Sequence, residues 1–212
     1  MTALDTHIKS LIRAGGPISV AEYMRIVLTG RSDSYYMRGE AFGAQGDFVT
    51  APEISQVFGE LIGAWCVDVW RQLGEPERFS LVELGPGRGT LMNDALRAAR
   101  VAPEFLRAAS VVFVEVSPVL RQQQQKALAG TPVASADWVL RFEDFGAAAG
   151  PIIVIANEFF DALPTRQLVR KDGRWTERCV GLNEDGDLAF GAAPGAINPI
   201  VVPERLRVAA DG

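Results

Sequence analysis

The sequence contains little histidine and little cysteine, and this excludes several kinds of catalytic and metal site. Its 212 residues include one histidine, His7, and two cysteines, Cys66 and Cys179, which lie far apart in the chain. A zinc site takes several Cys or His ligands, and a Ser-His-Asp triad needs a histidine beside its nucleophile. We therefore expect no metal site and no such triad in this chain. Both cysteines are expected to be reduced thiols.

The distribution of apolar and charged residues disfavours membrane-spanning, exported and nucleic-acid-binding proteins. No apolar run approaches the ~18 residues that a spanning helix needs. The net charge is −5, whereas a nucleic-acid-binding surface is normally basic. Residues 1–16 have no signal-peptide pattern, and Asp5 interrupts the acid-free character that a transit peptide would have. The sequence thus predicts a cytoplasmic protein with no membrane or nucleic-acid partner.

Helices are expected to precede the first strand. Apolar residues at helical spacing predict one helix near the N-terminus and a second that begins at Ser19. Ser19 with Glu22, and Thr50 with Glu53, have the spacing of a capping box. The second of these boxes opens a long apolar helix that ends near Gly74. Together these segments predict a helical N-terminal region.

From residue 80 the chain alternates short apolar strands with helices. The predicted strands are 80–84, 110–117, a short one at 138–142, and one that starts at 151. Continuous apolar strands separated by helices indicate a parallel sheet covered on both faces, and therefore an α/β fold.

The pattern changes at residue 166, where residues alternate around two Asp-Gly turns at 172–173 and 185–186. This alternation predicts an antiparallel meander. The expected domain organisation has three segments. These are a helical segment with a lid at 1–76, a cofactor-binding Rossmann-like core at 77–165, and a meander insertion at 166–212.

A glycine loop lies between the first predicted strand and the helix after it. In Glu83-Leu-Gly85-Pro-Gly87-Arg-Gly89 the glycines occupy every second position. A tight turn would explain them, but the loop stands where a βαβ cofactor loop should, and Glu115 ends the next strand. The spacing is not the G-x-G-x-x-G of dinucleotide folds, and no Gly-Lys-Ser/Thr follows as in a P-loop. An acid before the glycines suits a ligand with ammonium and sulfonium groups better than a pyrophosphate.

The E-x-G-x-G-x-G spacing resembles motif I of class I S-adenosylmethionine-dependent methyltransferases. The residues that match this motif are Glu83, Gly85, Gly87 and Gly89. The resemblance implies that they approach the methionine part of S-adenosylmethionine and that Glu115 binds the ribose. It also implies an adenine-side acid after the third strand, at Asp144 or the neighbouring Glu143.

Four stretches read together are more specific than the glycine loop alone. They are residues 46–60, 82–91, 114–118 and 156–167. This set resembles the MidA family, which includes a mitochondrial complex I assembly factor that methylates an arginine of a complex I subunit. The resemblance implies a protein arginine N-methyltransferase, with symmetric dimethylation as one product, acting on a protein substrate. The alternatives are a non-catalytic assembly factor that binds S-adenosylmethionine, and a Rossmann NAD-dependent oxidoreductase, which the glycine spacing disfavours.

The stretch ANEFFDALP follows the fourth strand, whose carboxyl end faces the transferred methyl group in this fold. A carboxylate that binds a guanidinium bidentately can orient one nitrogen and localise charge on the other. We therefore expect Glu158 to act as this clamp, Asp161 to be second and Asn157 to orient. A helix-capping role is the alternative for Asp161, and the adjacent phenylalanines could wall the site or belong to the core. Three further candidates could close over the cofactor from the N-terminal side: Asp47, Thr50 and Glu53.

A class I methyltransferase sheet has seven strands, whereas this chain supplies about four before the meander. The later strands are expected to be missing, either because the chain is truncated or because something else completes the sheet. An open sheet of this kind exposes an unpaired strand edge and an apolar face. We therefore expect the isolated chain to self-associate as a homo-oligomer, to be poorly stable or to be inactive.

Overall fold

The computed structural model describes residues 2–38, 50–146 and 150–208. Asp47, one of the candidates for closing over the cofactor, lies outside these residues. The chain forms two compact units, one from Met1–Ser34 with Ala162–Gly212 and the other from Tyr35–Asp161. Among the helices within the described ranges, none has both the length and the apolar character needed to cross a membrane.

The α-helices of the described residues are α1 (Ala3–Gly15), α2 (Val20–Leu28), α3 (Ala51–Ile54), α4 (Gln56–Gln72), α5 (Thr90–Ala98), α6 (Pro103–Ala108) and α7 (Pro118–Leu128). The strands are β1 (Ile18–Ser19), β2 (Phe79–Leu84), β3 (Ala109–Val114), β4 (Ser135–Val139), β5 (Ile152–Ile155), β6 (Leu168–Lys171), β7 (Arg174–Leu182) and β8 (Leu188–Ala192). Short 3-10 turns cover Tyr35–Arg38, Ala99–Val101, Phe142–Phe145, Phe160–Ala162, Pro199–Val201 and Glu204–Leu206.

The first unit joins the N-terminal helices to the meander. Strand β7 pairs antiparallel with β1, β6 and β8, and Ile18 lies opposite Val180. The buried side chain of Ile8 on α1 packs into the same core as Val180. The predicted meander is confirmed. At its first turn Asp172 and Gly173 both have positive φ, 50° and 72°, as a two-residue type I′ hairpin requires.

These units differ from the segments predicted at 1–76, 77–165 and 166–212. The predicted N-terminal segment is divided after Ser34, because β1 pairs with β7 and both α1 and α2 contact that strand. Strand β1 has only two residues, Ile18 and Ser19. So short a strand leaves no alternation in the sequence from which its pairing with β7 could be predicted.

The second unit is built on a parallel sheet with the strand order β4-β3-β2-β5. In register, Leu84 at the end of β2 lies opposite Val114, and Glu83 lies opposite Ile155. Because the strands are parallel, their carboxyl ends meet at one edge of the sheet, where ligands bind in open α/β folds. The structure confirms the predicted α/β fold with a Rossmann-like sheet.

One face of this sheet carries most of the core of the unit. Helices α4, α5, α6 and α7 all bury side chains against Leu81, Val111 and Phe113 on that face. The opposite face carries a smaller cluster around Val82 and Val112. In the part of the chain that the structure describes, the apolar residues of this smaller cluster come from the strands and from a 3-10 turn. Strands alternating with helices do not reveal which face each helix covers.

Helices α4 and α5 pack at close range because two glycines of α4 face α5. A Cβ atom on Gly59 would lie 2.6 Å from Asp94 Cβ. A Cβ atom on Gly63 would collide with the backbone of Ala95. Cys66, one turn further along, is 1% exposed and belongs to the core. The close contact therefore holds α5, and with it the loop that precedes α5, against α4.

The long helix expected from Thr50 is divided at Ser55. The Ser55 Oγ accepts a hydrogen bond from Val57 N at 3.2 Å and caps α4. The Thr50 side chain makes no capping hydrogen bond to α3. The capping box predicted for Thr50 and Glu53 is therefore wrong, and Glu53 is available for other contacts.

Candidate functional site

The glycine loop connects β2 to α5 at the carboxyl edge of the sheet. Gly85, Gly87 and Gly89 have φ angles of 61°, 53° and 83°. This left-handed region is unfavourable for residues that carry a Cβ atom. Gly85 N donates to Val114 O at 3.1 Å, which fixes the start of the loop to the end of β3. The three glycines therefore maintain a backbone path that other residues would strain.

Side chains from two neighbouring segments lie directly on this loop. A Cβ atom on Gly85 would be 2.6 Å from Phe159 Cδ2, so that the ring lies against the α carbon. A Cβ atom on Gly89 would be 3.3 Å from the α carbon of Gln124 on α7. Phe159 follows β5, so the loop is enclosed between the segment after β5 on one side and α7 on the other.

Glu83 is buried at the base of the loop. Its side chain lies on the strand immediately before the glycines, it is 3% exposed, and its Oε2 has no hydrogen-bond partner among the described residues. Burial raises the pKa of the Glu83 carboxyl to about 8. A buried, unpartnered carboxyl oxygen is unfavourable unless a ligand satisfies it. The site therefore offers a buried acceptor to a cationic or hydrogen-bonding group.

Glu115 lies immediately after β3, next to the glycine loop. Its Oε1 accepts from Ser117 N at 2.8 Å, and its Oε2 accepts from Gln124 Nε2 at 3.1 Å. Burial raises the pKa of Glu115, while the hydrogen bonds from Ser117 and Gln124 act in the opposite direction. Each carboxylate oxygen can accept more than one hydrogen bond. Glu115 can therefore be held by the protein and still accept from a ligand hydroxyl.

Gln124 is a residue of this site that the sequence analysis missed. Its Nε2 donates to Gly87 O at 2.7 Å as well as to Glu115, and its Oε1 accepts from Trp138 Nε1 at 2.9 Å. The sequence contained one signal for it. Leu120, Gln124 and Leu128 are the buried residues of α7 and follow one another at intervals of four, so this glutamine lies on the apolar face of its helix.

Glu53 contacts the loop from the N-terminal side. Its Oε1 accepts from Thr90 Oγ1 at 2.7 Å, and its Oε2 lies 3.6 Å from Arg88 Nη1. These two residues flank Gly89, the last glycine of the loop. The structure thus places Glu53 beside the loop, whereas it records no such contact for Thr50.

Asp144 is exposed and follows β4 in a 3-10 turn. Its Oδ2 accepts from Arg141 N at 3.2 Å, and its Oδ1 lies 3.5 Å from Arg141 Nη2. In this structure it therefore stabilises the turn that it belongs to. Its position after the third parallel strand is the one that the sequence analysis expected, and the neighbouring Glu143 is likewise exposed.

The expected catalytic residues follow β5, next to the end of β2. Glu158 and Asp161 are exposed, and Asn157 is partly buried. Glu158 has a φ of 47°, which is unusual for a residue other than glycine. Such outliers persist where the surrounding structure enforces them, and they cluster at functional sites. Burial and the Asp161 carboxylate together raise the pKa of Tyr36, so Asp161 lies near that phenol.

The site is composed of acids, amides and aromatic rings. Within residues 2–38, 50–146 and 150–208, no group of three or more His, Cys, Asp or Glu side chains could hold a metal ion. What the edge of the sheet does offer is the buried carboxyl of Glu83, a loop with three glycines, and the second buried carboxylate of Glu115. Exposed carboxylates then follow the neighbouring strand. This arrangement suits a polar, partly cationic organic ligand.

Comparison with known families supports this interpretation. A family of candidate S-adenosyl-L-methionine-dependent methyltransferases matches residues 61–207. The chain is 44% identical to the mitochondrial protein arginine methyltransferase NDUFAF7 homolog of Drosophila melanogaster, over 87% of this chain and 46% of that protein. It is 37% identical to mitochondrial protein arginine methyltransferase NDUFAF7 of Homo sapiens, over 92% of this chain and 49% of that protein.

A solved structure shows the same fold with a ligand. It is a COG1565 superfamily member from Burkholderia thailandensis bound to S-adenosyl-homocysteine, with a TM-score of 0.75 and 26% identity. The match covers 97% of this chain and 53% of that one. The chain thus spans about half the length of the curated relatives and of the solved structure that it matches.

The predicted cytoplasmic localisation is contradicted by these relatives. The proteins from Drosophila melanogaster, Danio rerio and Homo sapiens are all named as mitochondrial. The prediction was drawn from residues 1–16, which lack a targeting pattern. The lack of such a pattern within those residues does not establish a compartment, and this is why the prediction was wrong.

Proposed function

Because the chain belongs to this family of candidate S-adenosyl-L-methionine-dependent methyltransferases, we propose that it binds S-adenosylmethionine and serves the N-methylation of an arginine in a protein substrate. The observation that carries the proposal is the glycine loop with positive φ angles between two buried acids, Glu83 and Glu115. The solved relative bound to S-adenosyl-homocysteine supports the same cofactor.

The residues present fit S-adenosylmethionine. The unpartnered Oε2 of Glu83 is a suitable acceptor for a cofactor with ammonium and sulfonium groups. Gly87, which has no side chain, allows the ligand to approach the loop backbone. Glu115 retains acceptor capacity for the ribose hydroxyls, and Asp144 is exposed after the next strand, where an adenine-side acid is expected. When bound, the cofactor supplies the methyl group.

The methyl transfer itself is a displacement at carbon, so positioning of the nucleophile contributes much of the rate enhancement. A guanidinium is a poor nucleophile because its charge is delocalised over three nitrogens. In our proposal the Glu158 carboxylate accepts from two N–H groups and orients the reacting nitrogen. Asp161 is the second carboxylate, and Asn157 orients the substrate. The unusual φ of Glu158 supports a functional position for this side chain.

The substrate we propose is a protein arginine, because relatives over most of this chain are named protein arginine methyltransferases. A respiratory complex I subunit is our proposal for its source, and it rests on the resemblance of 46–60 and 156–167 to the MidA family. Symmetric dimethylation, which that family includes, is the corresponding product.

We also propose that the 212-residue chain self-associates. Strand β5 is the edge of the parallel sheet, and its Ile152 and Val154 are each 41% exposed. An edge strand offers unpaired backbone groups to another strand, and apolar side chains favour that pairing.

Calorimetric titration with S-adenosylmethionine and, separately, with NADH tests the cofactor. We expect saturable binding of S-adenosylmethionine, strong weakening by Gly87→Val or Glu115→Ala, and no binding of NADH. Binding of NADH alone would indicate an oxidoreductase and contradict the proposal.

Glu158→Ala separates an enzyme from a non-catalytic assembly factor. The variant should retain cofactor affinity, because Glu158 lies outside the glycine loop. Methyl transfer to an arginine-containing protein should fall strongly for an enzyme. If the unaltered chain binds the cofactor but transfers no methyl group to the protein, or if Glu158→Ala leaves that transfer unchanged, the assembly-factor alternative is favoured.

A further inference from the structure

Gln124 connects three parts of the cofactor edge through one buried side chain. It is 0% exposed. One amide group contacts the backbone of the glycine loop at Gly87, the carboxylate of Glu115 after β3, and the indole of Trp138 on β4. The helix that carries it also lies against Gly89.

The orientation of this amide is determined by its partners. Gly87 O and Glu115 Oε2 are acceptors, so both must face the NH₂ group, which has two hydrogens. Trp138 Nε1 is a donor only, so it must face the amide oxygen. Rotating the amide by half a turn would oppose like groups at all three contacts. The amide of Gln124 therefore has one orientation, and its hydrogen bonds hold its three partners in place.

The consequence for a ligand is geometric. Because a peptide group is planar and trans, a fixed Gly87 carbonyl also fixes the direction of the next N–H in the loop. The hydrogen bond to Glu115 Oε2, together with that from Ser117 N to Oε1, fixes both oxygens of the carboxylate. Gln124 thus sets the position of the loop backbone relative to the carboxylate.

We propose that Gln124 is a positioning residue for S-adenosylmethionine, which holds the glycine loop and Glu115 at the separation that the methionine and ribose parts of the cofactor require. The inference rests on the proposed function of this site. It assigns Gln124 no contact with the cofactor, only an action through Gly87 and Glu115. The other glutamines of this run differ, because Gln122 and Gln125 are exposed and Gln123 is only partly buried.

Gln124→Leu, which keeps a similar volume and removes the three hydrogen bonds, is the first test. We expect calorimetry to show that its Kd for S-adenosylmethionine rises about tenfold or more, because Gly87 and Glu115 lose the hydrogen bonds that hold them in place. Gln125→Leu, one position along the same helix, is the matched control and should bind like the unaltered chain. Equal affinity of the Gln124→Leu and unaltered chains would overturn the inference.

Gln124→Glu is the second test, and it does not depend on Gln124→Leu folding. It places a second carboxyl beside Glu115, with the Arg121 guanidinium as the other charge next to Glu115 in both proteins. The two carboxylates repel when both are ionised, so the cofactor affinity of this variant should fall as pH rises and recover as pH falls. A profile parallel to that of the unaltered chain would overturn the inference.

The unaltered chain shows whether a failure lies with the proposed function or with the role of Gln124. If it binds no S-adenosylmethionine at any pH tested, the proposed function fails, and this inference fails with it. If it binds, and both variants match it in affinity and pH profile, only the role of Gln124 fails.

Discussion

Phe159 lies directly against Gly85, so that a Cβ atom built on Gly85 would be 2.6 Å from the ring. The two residues come from the ends of neighbouring parallel strands. The contact places the aromatic pair of the NEFF stretch on the glycine loop. It therefore joins the expected catalytic segment to the expected cofactor loop.

Gly85→Ala should damage both stability and cofactor binding. Its left-handed φ costs a Cβ-bearing residue about 1–2 kcal/mol, and the clash with Phe159 adds to this. Gly130→Ala is the matched control, because Gly130 has a φ of 80° with nothing within 4 Å of a Cβ atom. We expect thermal unfolding to show a larger loss for Gly85→Ala, and titration to show weakened binding for that variant alone. Similar losses in the two variants would contradict the contact.

Gly63→Ala should destabilise the second unit. A Cβ atom there collides with the backbone of Ala95, which cannot rotate away as a side chain can. Overpacking of this kind costs about 1–3 kcal/mol. Gly15→Ala, at a helical glycine with free space, should be neutral or slightly stabilising. Urea unfolding of both variants measures the difference, and an unchanged midpoint for Gly63→Ala would contradict the close packing of α4 and α5.

Glu83 should make stability depend on pH. Folding raises its pKa from about 4.3 in the unfolded chain to about 8, so the folded state holds this proton more tightly. The stability that the bound Glu83 proton contributes is fully present below the unfolded pKa and is lost as pH rises through the folded pKa. Glu83→Gln stays neutral, so its stability relative to the unaltered chain should increase between about pH 5 and about pH 9.

Urea unfolding across this pH range measures the Glu83 effect. Glu184→Gln, at an exposed glutamate of the meander, is the control and should leave the pH profile unchanged. Other titrating groups are common to all three proteins, so only the difference between profiles is informative. A constant difference between Glu83→Gln and the unaltered chain would mean that Glu83 does not carry the shifted pKa.

The exposed edge of β5 should drive self-association. Val154→Lys places a charge on this edge, which is a common means of blocking strand pairing. We expect light scattering to show a lower mass for this variant than for the unaltered chain. Val101→Lys, at an exposed valine outside the sheet, should not change the mass. A stable monomer for the unaltered chain would contradict the prediction.

Local features of the second unit could be predicted closely. The helix expected from Pro118 to Leu128 matches α7, because proline suits the first turn and Ser117 Oγ accepts from Leu120 N at 3.4 Å as an N-cap. Gly89 ends the loop where the next helix was expected. These features depend on residues close together in sequence, so their pattern is visible in the chain itself.

Contacts between distant segments could not be predicted in the same way. Glu53 has the spacing of a cap for Thr50, yet in the structure it binds Thr90, which is 37 positions away. Nothing in the local pattern distinguishes these two partners. The predicted roles of Asn157, Glu158 and Asp161 depend on a substrate, and they remain predictions.

The sequence by itself determined the order of the parallel strands, the glycine loop between two acids and the antiparallel meander, because turn chemistry and hydrophobic periodicity act over a few residues. Only the tertiary structure decided that β1 pairs with β7 and that Gln124 joins the loop to Glu115. A buried polar side chain needs partners with matching donors and acceptors. Which partners it meets depends on how the helices pack on the sheet, and that packing is a property of the whole folded chain.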